Sequence, residues 1–341
     1  MSGNAIHRFT DTAILGVCAI DAPEVVTSED FDARLADTYE RVGLRPGMLR
    51  SLVGIKERRW WPEGYTFVDG AVAAGAKVLG ECGVDPAHIG LMVNTSVSRR
   101  FLEPSTAVEV HHGLDLPSSC QNFDVTNACL GFVNGMELAA TMIDAGVIDY
   151  AMVVDGEDCR VVQENTIARL SQPGITADDV MSQFAALTLG SGSVAMILGR
   201  AQQHLEGHRM VVSASRAGTE HHELCIGDND VMYTDLRGLL DAGLGLSGDL
   251  WAESADELGW NDGISRYVIH QISQVHMNAI TTRLGIDKAR VPLTFPTRGN
   301  IGPASVPVTL ACEADHLEDG DRVLLMGIGS GLNVSVLEIE W

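Results

Sequence analysis

The sequence predicts an α/β protein built from two related halves. Three observations lead there: strand-like and helix-like segments alternate along the chain, their order recurs after the midpoint, and one helical stretch is apolar nearly all round. Alternation of this kind implies sheets buried between helices.

Taken in order, Thr12 to Ile20 reads as a strand, and Ser28 to Arg41 and Phe67 to Glu81 read as helices. Ile89 to Thr95 is a short apolar run, expected as a buried strand, and Ser105 to Gly113 is helical. Asn122 to Val125 reads as a strand, Cys129 to Ala145 as a helix and Tyr150 to Val154 as a strand. That helix carries Phe132, Val133, Met136, Leu138, Met142 and Ile143, an all-round apolar surface that predicts a buried central helix with Gly146 at its C-terminal end. Beyond it, strands are expected near Val194 to Leu198, Met210 to Ala214, Tyr267 to His270, Val323 to Gly327 and Asn333 to Ile339. Helices are expected near Leu236 to Glu257, Gln274 to Arg283 and Ala304 to Ala314. Gln172-Pro173-Gly174 and the polar stretch from Glu220 to Asp230 read as surface excursions.

The second half repeats local sequence as well as order. Cys129-Leu130-Gly131 lies 20 residues before Asp149-Tyr150-Ala151-Met152-Val153-Val154, and Asn300-Ile301-Gly302 lies 21 before Asp321-Arg322-Val323-Leu324-Leu325-Met326. Leu91-Met92-Val93-Asn94 likewise resembles Tyr267-Val268-Ile269-His270. Two such halves, divided at 1–200 and 201–341, bring matching loops to a shared centre.

Composition narrows the function. With 341 residues the chain can bury a large core. A formal charge of -23 argues against nucleic acid and anionic membrane surfaces as partners, and repels acidic carrier proteins. Seven cysteines without a CxxC pair suggest neither a disulfide framework nor a zinc ribbon, so a reducing, cytoplasmic location is expected. The apolar run from Ala13 to Ile20 is too short for a signal peptide or a membrane span, and no later run reaches spanning length. Basic residues cluster at Lys56-Glu57-Arg58-Arg59-Trp60-Trp61 and Arg99-Arg100. That patch would suit a phosphorylated, adenine-containing ligand, or is simply solvated charge beside core tryptophans.

Cys129 stands in Thr126-Asn127-Ala128-Cys129-Leu130-Gly131-Phe132, between a strand and the apolar helix. At a helix start the free N–H groups and the positive dipole end favour thiolate, the nucleophilic form. A buried structural cysteine is the alternative. Two downstream residues favour chemistry: His270 ends the run Tyr267-Val268-Ile269-His270-Gln271, and Asn300 sits at another loop-to-helix start, Arg298-Gly299-Asn300-Ile301-Gly302-Pro303-Ala304-Ser305.

Asn-Ala-Cys-Leu-Gly-Phe, Val-Ile-His-Gln and Gly-Asn-Ile-Gly-Pro-Ala-Ser-Val-Pro, in this order and spacing, resemble the thiolase superfamily along essentially the whole chain. The likeness is to its ketoacyl synthase III branch. Asn94-Thr95-Ser96-Val97-Ser98-Arg99 leading into Leu102-Glu103-Pro104-Ser105, Val153-Val154-Asp155-Gly156-Glu157, and Gly327-Ile328-Gly329-Ser330-Gly331-Leu332-Asn333 bring it closest to the acyl-CoA condensing enzymes of bacterial olefin biosynthesis. The resemblance implies two duplicated βαβαβαββ halves forming an α-β-α-β-α sandwich. It implies Cys129 as the acylated nucleophile, His270 and Asn300 as oxyanion donors, Glu103 as base, and Arg58 or Arg59 near the phosphates of coenzyme A. It also implies a homodimer.

The chemistry matches these residue types. A thiolate accepts an acyl group from a thioester, and the backbone N–H groups of Cys129 and Ser330 would hold the tetrahedral oxyanion. Carbon–carbon bond formation then needs a carbanion on a second acyl thioester, its enolate oxygen held by His270 and Asn300. A malonyl unit supplies that carbanion by losing carbon dioxide, whereas a plain acyl-CoA must lose a proton. Glu103 in an apolar pocket would take that proton, or it is merely a helix-start acid. The expected reaction is head-to-head Claisen condensation of two long-chain fatty acyl-CoAs to a 2-alkyl-3-oxoacyl product. The rivals are a decarboxylating 3-oxoacyl synthase III and a subunit of a heterodimer with a thiolase-fold partner, in β-lactone or polyketide biosynthesis alongside downstream pathway enzymes.

Other sites are weaker. His111-His112 and His221-His222 lack metal-ligand spacing, so no metal and no cofactor beyond coenzyme A thioesters is expected. His276 reads as packing or support for His270. The glycines at 327, 329 and 331 precede a strand, which argues against a dinucleotide loop, and no second cysteine stands in that loop. Cys312 reads as structural.

Overall fold

The computed structural model describes residues 3–341. It begins with β1 (Ala5–Arg8), β2 (Thr12–Asp21) and β3 (Glu24–Thr27), then α1 (Ser28–Arg34), α2 (Ala36–Val42) and β4 (Glu57–Trp60). The single helix expected over 28–41 is two, because Leu35 leaves helical geometry (φ -102°, ψ 8°) as its side chain turns fully inward. Thr27 and Asp30 form a reciprocal capping box at the start of α1.

Next come α3 (Phe67–Cys82), β5 (Ile89–Asn94), α4 (Thr106–Gly113), β6 (Gln121–Asp124), α5 (Gly131–Asp144) and β7 (Tyr150–Glu157), close to their expected spans. α6 (Arg160–Leu170) and α7 (Ala177–Gln183) had no counterpart in the periodicity, because the buried face of α6 includes the polar Gln163 and Thr166. Gln163 is held inside by Trp60 Nε1 at 2.7 Å and by the Ala186 and Leu189 carbonyls.

β8 (Gly192–Arg200) and β9 (His208–Ala217) follow, then a small hairpin of β10 (Cys225–Gly227), within the polar excursion, and β11 (Met232–Thr234), just beyond it. The chain ends with α8 (Leu236–Leu258), β12 (Arg266–Ile269), α9 (Gln274–Leu284), α10 (Phe295–Arg298), α11 (Ser305–Glu313), β13 (Arg322–Gly329) and β14 (Asn333–Glu340).

The main sheet runs β12-β13-β14-β9-β2-β8-β7-β5-β6, with β1 added on β9. From β2 outward the pairings are antiparallel to β8, antiparallel to β7, parallel to β5 and parallel to β6. From β9 outward they are antiparallel to β14, antiparallel to β13 and parallel to β12. The two arms share one pattern, and among the described residues their strands pair with each other at Ala13↔Arg209 and Ile14↔His208.

This layout puts α5 and α11 between the arms. Phe132, Val133, Met136, Ala139, Ala140 and Ile143 of α5 share one core with Val93, Val153 and Met196 of one arm and Val268, Val323, Leu325 and Leu337 of the other. Each such fully buried Val, Leu, Ile, Phe or Met side chain contributes about 1.5–3 kcal/mol by leaving water. α3 and α4 cover the outer face of the first arm, and α8 and α9 that of the second. The result is the layered α-β-α-β-α sandwich around a central helix. Among the described residues no helix is long and apolar enough to cross a membrane.

Candidate active site

The parallel strands β5, β6 and β7 end side by side, and the residues that follow them form the floor of the site. After β6 the chain turns sharply into α5, with Ala128 in the left-handed region at φ 46°. A non-glycine residue held there is costly and persists only where its surroundings impose it. Cys129 follows on the crest of this turn, half-buried, two residues before Gly131 opens the helix.

The glycine-rich loop after β13 packs onto the same turn. A Cβ on Gly329 would come 2.5 Å from the Asn127 carbonyl oxygen and 3.1 Å from Leu130 Cβ, so only glycine lets the loop approach. A polar ladder locks the contact: Asn333 donates to Asn127 Oδ1 at 3.2 Å, Asn127 to Asn134 Oδ1 at 2.8 Å, and Asn134 and Ser335 both reach Glu137 at 3.0 Å. Ser330 sits at the tip of this loop, half-buried beside the cysteine turn. Neither the Cys129 nor the Ser330 N–H donates to a backbone carbonyl among the described residues.

His270 follows β12 and is 1 % exposed, its N–H donating to the Met326 carbonyl at 2.9 Å beside the glycine loop. Burial, reinforced by His276, lowers its pKa to about 3, so the ring is neutral and carries a single N–H. Gln271 holds it in place by donating to the Ile269 carbonyl at 2.8 Å and accepting from Thr294 N at 2.9 Å. His276 is buried on α9, where burial lowers its pKa to about 4. It lies near enough to His270 to lower the pKa of that ring further.

Asn300 is gripped by the strand-like segment before β8: its N–H donates to the Thr188 carbonyl and its carbonyl accepts from Gly190 N, both at 2.9 Å. Its side-chain oxygen accepts from Gly302 N at 3.0 Å and Ser305 Oγ at 3.4 Å. The amide orientation is therefore settled by its network, and Nδ2 is left as the free donor. Cys129, His270 and Asn300 make no hydrogen bond to one another among the described residues.

Three expectations need correction. The thiolate is not favoured: burial, then the nearby Cys225, Glu157 and Asp155, push the Cys129 pKa up to about 12. Glu103 does not lie in an apolar pocket of this chain but on an exposed segment beside Phe101 and Leu102, the latter 97 % exposed. Arg58 does not face phosphates. It is fully buried, donates to Ser28 Oγ and the Leu187 carbonyl at 3.2 and 3.1 Å, and stacks over Phe31, a core role that periodicity could not distinguish from surface charge. Arg59 is partly exposed and pairs with Glu57 at 3.1 Å.

Sequence reasoning missed Cys225. The β10–β11 hairpin brings it close enough to Cys129 to act on its thiol, while the hydroxyls of Thr234, 3.5 Å away, and Ser330 hydrogen-bond its sulfur. A three-residue strand in a polar excursion leaves no pattern that would have revealed it.

The fold, the cysteine turn and the neutral histidine–asparagine donor pair define a condensing enzyme of the thiolase type. Family models agree: 3-oxoacyl-[acyl-carrier-protein] synthase III matches residues 123–217, and its C-terminal domain matches residues 256–341. An acyl-CoA:acyl-CoA alkyltransferase of Xanthomonas campestris is 42 % identical over 336 residues, covering 98 % of this chain and 99 % of that one. The Shewanella oneidensis alkyltransferase is 34 % identical, covering 94 % and 96 %. The crystal structure of a Xanthomonas campestris OleA variant with bound lauric acid and lauroyl-CoA superposes with a TM-score of 0.95, at 42 % identity over 98 % of this chain and 100 % of that one. The chain belongs to the acyl-CoA:acyl-CoA alkyltransferase family, within the synthase III branch of the thiolase superfamily.

Proposed function

We propose that this chain is an acyltransferase that joins two long-chain fatty acyl-CoAs head to head without decarboxylation, through an acyl-Cys129 intermediate. The product is a 2-alkyl-3-oxoacyl thioester. The observation that carries the reading is the donor pair. A histidine kept neutral by burial and an asparagine whose oxygen is already engaged present two N–H groups, as an enolate oxygen requires, and end-to-end similarity to alkyltransferases supports the substrate class.

Acyl transfer begins when acyl-CoA occupies the site and the Cys129 sulfur attacks its carbonyl, the thiol proton passing to the sulfur of the departing CoA. The free N–H groups of Cys129 and Ser330 are the donors for the resulting oxyanion. CoA leaves, and a second acyl-CoA enters with its carbonyl oxygen toward His270 and Asn300. Glu103 removes the α-proton, the carbanion attacks the acyl-Cys129 carbonyl, and the carbon–sulfur bond to Cys129 breaks, the released sulfur regaining a proton. In this reading the enzyme is a homodimer, and the second copy covers the exposed stretch of Val97, Phe101, Leu102 and Glu103. Arg59 is the remaining candidate for a CoA phosphate. The halves 1–200 and 201–341 supply nucleophile and donors respectively.

Incubation of the purified protein with one long-chain acyl-CoA as sole substrate tests this. Condensed product together with free CoA is expected without malonyl thioester. Product formed only when malonyl thioester is added would assign a decarboxylating synthase III instead, and acid plus CoA alone would remove the condensation step. A heterodimeric thiolase-fold partner would show as activity that requires co-purified protein.

A further inference from the structure

The polar ladder beside the cysteine turn has a direction. Asn333 Nδ2 donates to Asn127 Oδ1 at 3.2 Å, Asn127 Nδ2 to Asn134 Oδ1 at 2.8 Å, and Asn134 Nδ2 to Glu137 Oε2 at 3.0 Å. Ser335 Oγ donates to the other Glu137 oxygen, also at 3.0 Å. Because Glu137 accepts at both oxygens, Asn134 must face it with its NH2 and turn its own oxygen to Asn127. Asn127 must then donate toward Asn134 and accept from Asn333. An isolated asparagine could sit either way round, and here one carboxylate orients three of them.

Asn127 is where the ladder meets the site. Its carbonyl oxygen accepts from Leu130 N at 3.0 Å inside the turn, and it closes on Gly329, where a Cβ would come within 2.5 Å of it. Its side chain holds Asn333. Gly329 and Asn333 face each other as the last pair of the β13–β14 hairpin, and Ser330 opens the short connection between them. Both ends of the connection that carries Ser330 are therefore fastened to one residue, which stands two positions before Cys129. The Cys129 and Ser330 N–H groups come from opposite halves of the chain, and Asn127 touches the backbone of both.

We propose that Asn127 is a positioning residue for the oxyanion site, fixing the spacing between the Cys129 and Ser330 N–H groups, and that Glu137 acts through Asn134 to hold Asn127 in the orientation this requires. The proposal rests on the oxyanion role given to those two N–H groups above. Donors aimed at a developing charge stabilise it without reorganisation only when their spacing is set in advance. Glu137 stands six residues beyond Gly131, about 9 Å along the axis of α5, so its influence on the reacting atoms passes through the ladder.

Single-turnover acylation of Cys129 by a long-chain acyl-CoA, followed by protein mass over a range of substrate concentrations, tests this. Asn127→Ala should slow acylation on the order of 10²-fold, the scale of a small misplacement of a reacting group, with the half-saturating concentration little changed. Glu137→Ala should slow it by up to about 10-fold, as for one lost hydrogen bond. Glu137→Gln keeps an acceptor for Asn134 and should regain most of the rate. Residues that act through one network are not additive, so the double variant Asn127→Ala/Glu137→Ala should be no slower than Asn127→Ala alone. Effects that multiply in the double variant, an unchanged rate in Asn127→Ala, or a loss confined to the half-saturating concentration would overturn the positioning role. Should Asn127→Ala fail to fold, Glu137→Ala against Glu137→Gln decides, and equal rates in those two would overturn it. Wild-type protein that takes up no acyl group would overturn the functional reading and the proposal together, whereas no result with the variants touches that reading.

Discussion

The two arms of the sheet share one plan and carry opposite equipment. In the first arm β7 ends in Asp155 and Glu157, and the turn after β6 bears Cys129; in the second, β13 ends in Gly327 and Gly329, and β12 runs into His270. One arm supplies the proposed nucleophile and buried carboxylates that accept from neighbouring loops. The other supplies neutral donors and the clearance that lets its loop reach the nucleophile's turn. A repeated backbone frame fixes where loops converge, and side chains alone decide what each loop does there.

The largest effect should come from the nucleophile. Cys129→Ala is expected to abolish acyl-enzyme formation and lower condensation on the order of 10⁴-fold or more, measured by intact mass and product release. Cys129→Ser should likewise lose stable acylation. An acylated Cys129→Ala protein would relocate the nucleophile.

Changing the donors of the second arm should act later. Asn300→Ala or His270→Ala should cost about 10²–10³-fold in condensation while acylation of Cys129 persists. Glu103→Ala should give the same pattern, acyl-enzyme that does not condense, by about 10²–10⁴-fold. If any of the three condensed at the wild-type rate, its assigned role would be wrong.

Clearance is a stability question. Gly329→Ala puts a Cβ 2.5 Å from the Asn127 carbonyl, and overpacking of this kind costs about 1–3 kcal/mol, visible as a lowered melting temperature. An unchanged melting temperature would mean the loop yields freely.

The smallest effect is in pH dependence. His270 and His276 stay neutral in the folded chain down to about pH 3 and 4, while unfolded histidine takes up its proton near pH 6.5. In that window the unfolded state binds more protons, so these groups make stability fall as pH drops from 6.5 toward 4. Asp155 and Glu157 act in the opposite sense: with Glu157 raised to about 7, stability falls as pH rises from 4.5 toward 7. Relative to wild type, His276→Gln should remove up to about 1.4 kcal/mol per pH unit of the acid-side slope, read from denaturant unfolding at several pH values. An unchanged slope would show that His276 titrates normally.

Most strands and helices were legible because burial imposes a period: β5, β8 and the Tyr150–Val154 part of β7 are largely apolar runs, and α5 buries most of its surface apart from the face of Asn134, Glu137 and Thr141. α6 was not, since its inward Gln163 is satisfied by bonds to residues 23 and 26 positions away. The split at Leu35 was hidden for a similar reason: helix propensity allowed one helix, and the core demanded a bend there.

By itself the sequence determined the α/β class, the internal repeat, the central helix, and Cys129, His270 and Asn300 as the residues at loop ends, because strand and helix periods and turn chemistry are local properties. Tertiary structure decided the charge state and facing of those groups. It turned Arg58 inward, left Glu103 on the surface, brought Cys225 toward Cys129 and set Glu157 against the Asn300 turn. Solvation and hydrogen-bond partners come from residues far apart in the chain, and a linear pattern carries no record of which of them meet.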